Sequence, residues 1–250
     1  MKLSIKELRV LLRENLNDRE FYKVATLIYD ELIEHIASTD KPSTLFLIED
    51  SLTLAALRKS FKLGESMRLK FLFTRNRSDK VRGQFNAKAR LKTIWVTLPA
   101  DLLNTKYIDN ELLDALKEPD CRSVVIHEIV HLMDNMRLKA STWTKNLNRL
   151  RSTLSDDNID VVTKMTKYVN DPIEWNAHFY QLTDLIKTYV QNYSHVDQRF
   201  SGDSVDQFIN NVERKFKNFP LIRYAEGTLK RKLEKRLAQF WVEEFKTISV

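Results

Sequence analysis

The stretch 120–138, DCRSVVIHEIVHLMDNMRL, constrains this chain more than any other. Val124, Val125, Ile126, Ile129, Val130, Leu132 and Met133 go almost all the way round a 3.6-residue helix, so the helix has no face to offer water. It must be buried, with the rest of a core packed about it. Yet it carries His127, Glu128 and His131 in its middle. Such groups need strong partners in a core, because an unpaired buried polar group is costly.

The rest of the chain can supply that core. At 250 residues it is long enough to fold without staples. Its 43% hydrophobic and 30% charged residues are ordinary for a globular protein rather than a disordered one. Four Gly and five Pro are too few for an all-β sandwich or barrel, which turns every few residues. The single cysteine, Cys121, excludes an intramolecular disulfide and a multi-cysteine zinc knuckle. At the start of a helix its thiolate would be favoured, while within an apolar run it reads as an inert thiol. No apolar run approaches a membrane span, and the first sixteen residues, MKLSIKELRVLLRENL, lack the apolar core of a signal peptide. A cytoplasmic protein without a membrane partner is the expectation.

Periodicity divides the chain. Leu8, Leu11, Leu12 and Leu16 predict one helix; Phe21, Val24, Ile28, Leu32 and Ile36 predict a better one; a third is expected over 52–61. Leu69, Phe71 and Phe73 then alternate with Arg68, Lys70 and Thr74, which predicts a half-buried strand over 68–75. Two more strands are expected over 83–89 and 92–98, and only helices beyond 102. These are one at 120–138, then 143–154, 157–169, 171–193, 204–218 and 227–245. The run KRKLEKR (230–236) mixes charges at helical spacing and predicts a solvated face. The fold class is therefore α+β and helix-rich, a small twisted sheet packed on the 120–138 helix. The expected organisation is N-terminal helices over 1–64, a core over 65–193 and a C-terminal helical extension over 194–250.

His127-Glu128-Ile129-Val130-His131 is the pattern H-E-x-x-H. Residues four apart share a helix face, so both imidazoles can reach one point. A zinc ion there takes nitrogen ligands at about 2.0–2.1 Å. Glu128, about 100° round the helix, stands beside that point as a general base for water that the metal acidifies. The bland alternative is a pair of satisfied core histidines. A hydrolytic zinc site also needs a third protein ligand and one open position. The segment 168–182, YVNDPIEWNAHFYQL, is the best source. Asp171-Pro172 reads as N-cap and first helical residue. Glu174 falls three residues into the turn and is the preferred ligand, unless it closes a capping box there. His178, one turn on, is the runner-up.

A strand over 93–98, the HExxH helix, and a helix carrying Glu174 some forty residues later together resemble the zincin metallopeptidases of the Glu-ligand type. Gly83 and Ile94-Trp95-Val96 ahead of the motif also resemble the small minimal zincins, such as the SprT-like and ImmA/IrrE-like families. The likeness covers roughly 67–182. It implies a zinc-dependent endopeptidase acting on a protein or peptide, with His127, His131 and Glu174 on the metal and Glu128 as the base. It also implies that Trp95, Val96 and Thr97 form an edge strand to which extended substrate adds. Arg137 occupies the position where another zincin branch has its third ligand, so that branch is excluded. His178 stands where the thermolysin pattern has a supporting aspartate. Asp134 or Asp171 would replace it, although Asp134 could equally face solvent. His178 and Tyr180 are candidates for stabilising an oxyanion, with a core role the alternative for Tyr180.

Charge placement adds another class. Residues 51–100 hold twelve Lys and Arg against two acids, Glu65 and Asp79, while the whole chain is +7. The segment is either the solvated face of a sheet or an electropositive wall that favours acidic peptides or a nucleic-acid backbone. The competing functions are thus a zincin-fold binding module without turnover and a nucleic-acid-associated protein.

Overall fold

The computed structural model describes residues 18–39, 45–48, 53–55, 57, 68–76, 82–87, 91–99, 110–138, 140–193 and 204–245. The helix expected near 8–16 and most of that at 52–61 lie outside the described residues. The chain forms two compact units, Met1–Ala140 and Ser141–Val250, and the division falls inside the span 65–193. The described residues are helix-rich α+β, with a four-stranded mixed sheet confined to the first unit.

In the first unit, helix α1 (Asp18–Ala37) buries Val24, Ile28, Leu32 and Ile36, the stripe that its sequence predicts. The Tyr29 hydroxyl donates to the Leu116 carbonyl at 2.7 Å, which fastens α1 to α2 (Asn110–Lys117). The strands are β1 (Leu45–Ile48), β2 (Arg68–Asn76), β3 (Arg82–Ala87) and β4 (Leu91–Pro99), in the order β1-β2-β4-β3. Strand β1 departs from the all-helical expectation for the first sixty residues. Its four residues LFLI are too short and too uniformly apolar for periodicity to separate strand from helix.

The order also corrects the expected edge strand. Trp95, Val96 and Thr97 lie in β4, which is interior: β2 pairs with it in parallel and β3 antiparallel. Both of its backbone edges are used, so no substrate strand can add there. Among the described residues the edges of the sheet are β1 and β3.

One face of the sheet carries Phe46, Ile48, Leu69, Phe71, Phe73, Ile94, Val96 and Leu98, all buried. Helix α3 (Pro119–Arg137) packs on β3 and β4, with α1 and α2 also against it. Pro119 opens α3 at a position whose N–H has no helical partner in any case. From Val125 to Asp134 every residue is buried, as an all-round apolar helix requires. Each such leucine, isoleucine or valine contributes about 1.5–3 kcal/mol on burial.

Among the described residues the second unit contains helices and their connections: α4 (Ala140–Ser155), α5 (Val161–Val169), α6 (Pro172–Tyr193), α7 (Val205–Lys215), α8 (Pro220–Tyr224) and α9 (Gly227–Glu244). Helix α5 begins four residues later than expected. Asp160 caps it, accepting from the Thr163 N–H at 3.0 Å and from its hydroxyl at 2.6 Å, and these bonds hold the carboxyl below its usual range. The solvated face expected at 230–236 is only partly so. Arg236 is buried with its guanidinium over the rings of Phe179, Trp175 and Tyr180, at 3.7, 5.0 and 5.3 Å.

Candidate metal centre

Helix α3 presents His127 and His131 one turn apart. Their Nε2 atoms are 3.0 Å from each other, and the rings stand edge-to-face at 84°. Two nitrogens on one tetrahedral ion at ordinary zinc–imidazole lengths are about 3.3 Å apart. The pair is therefore arranged as two donors aimed at a common point. Both side chains are buried.

On α6, Glu174 sits in the first turn. Asp171 fixes that turn. Its Oδ1 accepts from the Ile173 N–H at 3.1 Å, and its Oδ2 pairs with the Arg149 guanidinium from α4. The N–H that a capping box would take from Asp171 is donated to the Tyr168 carbonyl at 3.1 Å. A carboxylate oxygen of Glu174 and one nitrogen each of His127 and His131 all lie within 4.8 Å of one another, and all three residues are buried. Two imidazoles and a carboxylate form a donor set that could hold a metal ion.

His178 is outside that group. Its Nδ1 is 3.3 Å from Gln181 Oε1, and its ring meets Tyr168 and Phe219 edge-on. Of the two candidate third ligands, Glu174 is the one that joins the histidines. Asp171, offered as a supporting carboxylate, instead caps α6 and answers Arg149. Asp134 is buried on α3 one turn beyond His131, so it does not face solvent. Tyr180 is buried, its ring edge-on to Phe179. Cys121 is also buried, and burial, then Asp120 and Glu118, push its thiol up to about 12, so it carries no thiolate at neutral pH.

Glu128 is buried beside the two histidines in sequence and faces strand β3. A Cβ placed on Gly83 would fall 2.5 Å from both Cγ and Oε1 of Glu128 and 2.8 Å from its Cδ. Any side chain at position 83 would have to push the Glu128 side chain aside, because that side chain fills the space. A glycine inside a strand is itself a sign of close approach, and that signal, present in the sequence, marks Gly83 as a residue of the site. Gly83→Ala is expected to displace the Glu128 carboxylate and lower any Glu128-dependent turnover about 10²-fold, with metal content unchanged. Steady-state kinetics beside metal analysis checks this.

Lys92, at the start of β4, is buried. Its Nζ donates to Asn135 Oδ1 at 2.9 Å, and burial lowers its pKa. Asn135 lies one turn past His131 on α3, so this bond ties the sheet to the helix that carries the histidines. The chain matches no protein-family model, no curated protein and no solved structure.

Proposed function

We propose that the protein is a zinc-dependent endopeptidase of the zincin kind. The observation that carries this reading is the convergence of His127, His131 and Glu174, with Glu128 on the same helix between the two histidines. Three protein donors of the His₂Glu type leave one position open, which is the composition of a catalytic rather than a structural zinc site. Bound there, zinc supplies a Lewis acid that polarises the scissile carbonyl and acidifies water.

The chain's own groups do the rest. Glu128 takes a proton from the attacking water as the oxygen–carbon bond forms. It then delivers that proton to the amine nitrogen as the carbon–nitrogen bond breaks. Gly83 fixes where the Glu128 carboxylate stands. Asp171 and Arg149 hold the first turn of α6, and thereby Glu174. Strand β3, whose outer edge has no partner strand among the described residues, is the place for an extended peptide to add. A peptide paired to Arg82–Ala87 passes Gly83, the residue against Glu128.

The test is direct. Purified protein is expected to carry about one equivalent of zinc and to cleave an unfolded protein such as casein. A chelator should abolish cleavage and stoichiometric zinc should restore it. A protein that binds zinc at the three residues but cleaves nothing would instead be a binding module. One that binds no zinc at micromolar concentration would remove the reading altogether.

A further inference from the structure

The sheet has a second face, turned away from α3, which the peptidase reading leaves without a role. Cross-strand register defines its rows. Leu45, Leu72, Trp95 and Gln84 stand opposite one another across β1, β2, β4 and β3. One row to one side lie Leu47, Lys70, Thr93 and Asn86; one row to the other lie Thr74, Thr97 and Arg82. Trp95 therefore occupies the centre, with Lys70 and Arg82 diagonal to it on opposite sides, each about 7–8 Å away by backbone spacing.

Three properties of this face act together. The first is exposure: Trp95 is 44% exposed, whereas Trp143, Trp175 and Trp241 are 7%, 1% and 9%. The second is charge. None of the four strands contains an aspartate or glutamate. Arg68 and Arg82 are exposed and Lys70 is half-buried on this same face. Neither Lys70 nor Arg82 has an ion-pair partner among the described residues. The third is polarity at short range, since the Thr74 and Thr97 hydroxyls, 3.1 Å apart, border the tryptophan. A sheet whose centre is a flat aromatic ring, flanked by cations and bare of acids, matches one kind of ligand well. That ligand has flat rings to stack and a phosphate backbone to neutralise.

We propose that this outer face binds single-stranded nucleic acid, a base stacking on Trp95 while Lys70, Arg82 and Arg68 contact phosphates. A single strand is specified rather than a duplex, because stacking on a side chain needs an unstacked base. The contacts ignore the sugar, so DNA and RNA should bind alike. The site lies on the opposite face of the sheet from α3 and does not depend on the metal reading.

The experiment uses the full chain and fluorescein-labelled fifteen-nucleotide oligo-dT and oligo-U, followed by anisotropy and by intrinsic tryptophan fluorescence. Because Trp95 is the exposed tryptophan, quenching by unlabelled oligonucleotide reports this face. Three phosphate contacts predict a slope near −2 in log K against log salt, or about an 18-fold loss between roughly 50 and 200 mM. Trp95→Ala should weaken binding about 5- to 150-fold, while Trp95→Phe keeps most of it and removes the quenching. Lys70→Glu and Arg82→Glu should each flatten the slope. Unchanged circular dichroism and an unchanged thermal unfolding midpoint show that the variants fold. The proposal is overturned if neither oligonucleotide binds at the lower salt, if a blunt duplex binds as tightly as the single strand, or if Trp95→Ala binds normally. Equal binding of poly-glutamate, with no base to stack, would also overturn it, since the face would then be merely electropositive.

Discussion

Glu128→Gln is expected to leave the protein folded and loaded with zinc while peptide hydrolysis falls by about 10²–10⁴-fold. The amide has nearly the shape of the carboxylate, so it fits the space against Gly83, where an added methyl would not. It cannot accept a proton from the attacking water or pass one to the leaving amine. Zinc should be retained, because the proposed donors are His127, His131 and Glu174, the three residues that could hold a metal ion together. Loss of zinc together with activity would show that Glu128 is a ligand and that the roles are wrongly divided. Retained activity would show that the proton moves by another route. Gly83→Ala makes a companion: both variants keep the metal, but only the glycine change should leave a pH profile of the parent shape, since its base is displaced rather than removed.

Much of this could be read from the sequence, and the reasons differ by element. Helix α3 was legible because an all-round apolar helix is rare and the i, i+4 histidines within it share a face. Helix α6 was legible from Asp171-Pro172, which marks a start whatever the tertiary surroundings. Strands β2 and β4 declared themselves by alternation. What alternation does not carry is sheet order. The same pattern in β4 serves an edge or an interior strand, and only the long-range parallel pairing with β2 decides it. The edge role for Trp95 rests on the zincin likeness alone, and the pairing on both sides of β4 overrides it.

Long cationic side chains hide their burial from the sequence for a related reason. Lys92 and Arg236 stand among other charges in sequence, yet each is buried and finds a polar or aromatic partner at its tip. Arg149 carries no local signal at all, because its partner Asp171 is twenty-two residues away. The site's donors were thus visible, while the residues that position them were largely not.

The third ligand gives the sharpest separation of roles on one helix. Glu174→Ala should weaken zinc binding by more than about 100-fold, since even changes one shell removed from a metal cost 10–100-fold. His178→Ala should leave zinc affinity close to that of the parent. It removes the ring that meets Tyr168 and Phe219, so its effect should appear instead as a loss of about 1–3 kcal/mol in unfolding free energy. Arg149→Met falls between them. It leaves the buried Asp171 carboxylate without its cation and loosens the turn that presents Glu174, predicting a 10–100-fold weaker site. Competition against a chelator of known affinity measures all three. Denaturant unfolding with and without zinc supplies the control, because a ligand that binds only the folded state stabilises it by RT ln(1 + [L]/Kd). For His178→Ala the zinc-dependent increment should therefore survive on a lowered baseline, whereas for Glu174→Ala the increment itself should disappear. If His178→Ala loses the increment and Glu174→Ala keeps it, the histidine is the ligand and the carboxylate is not.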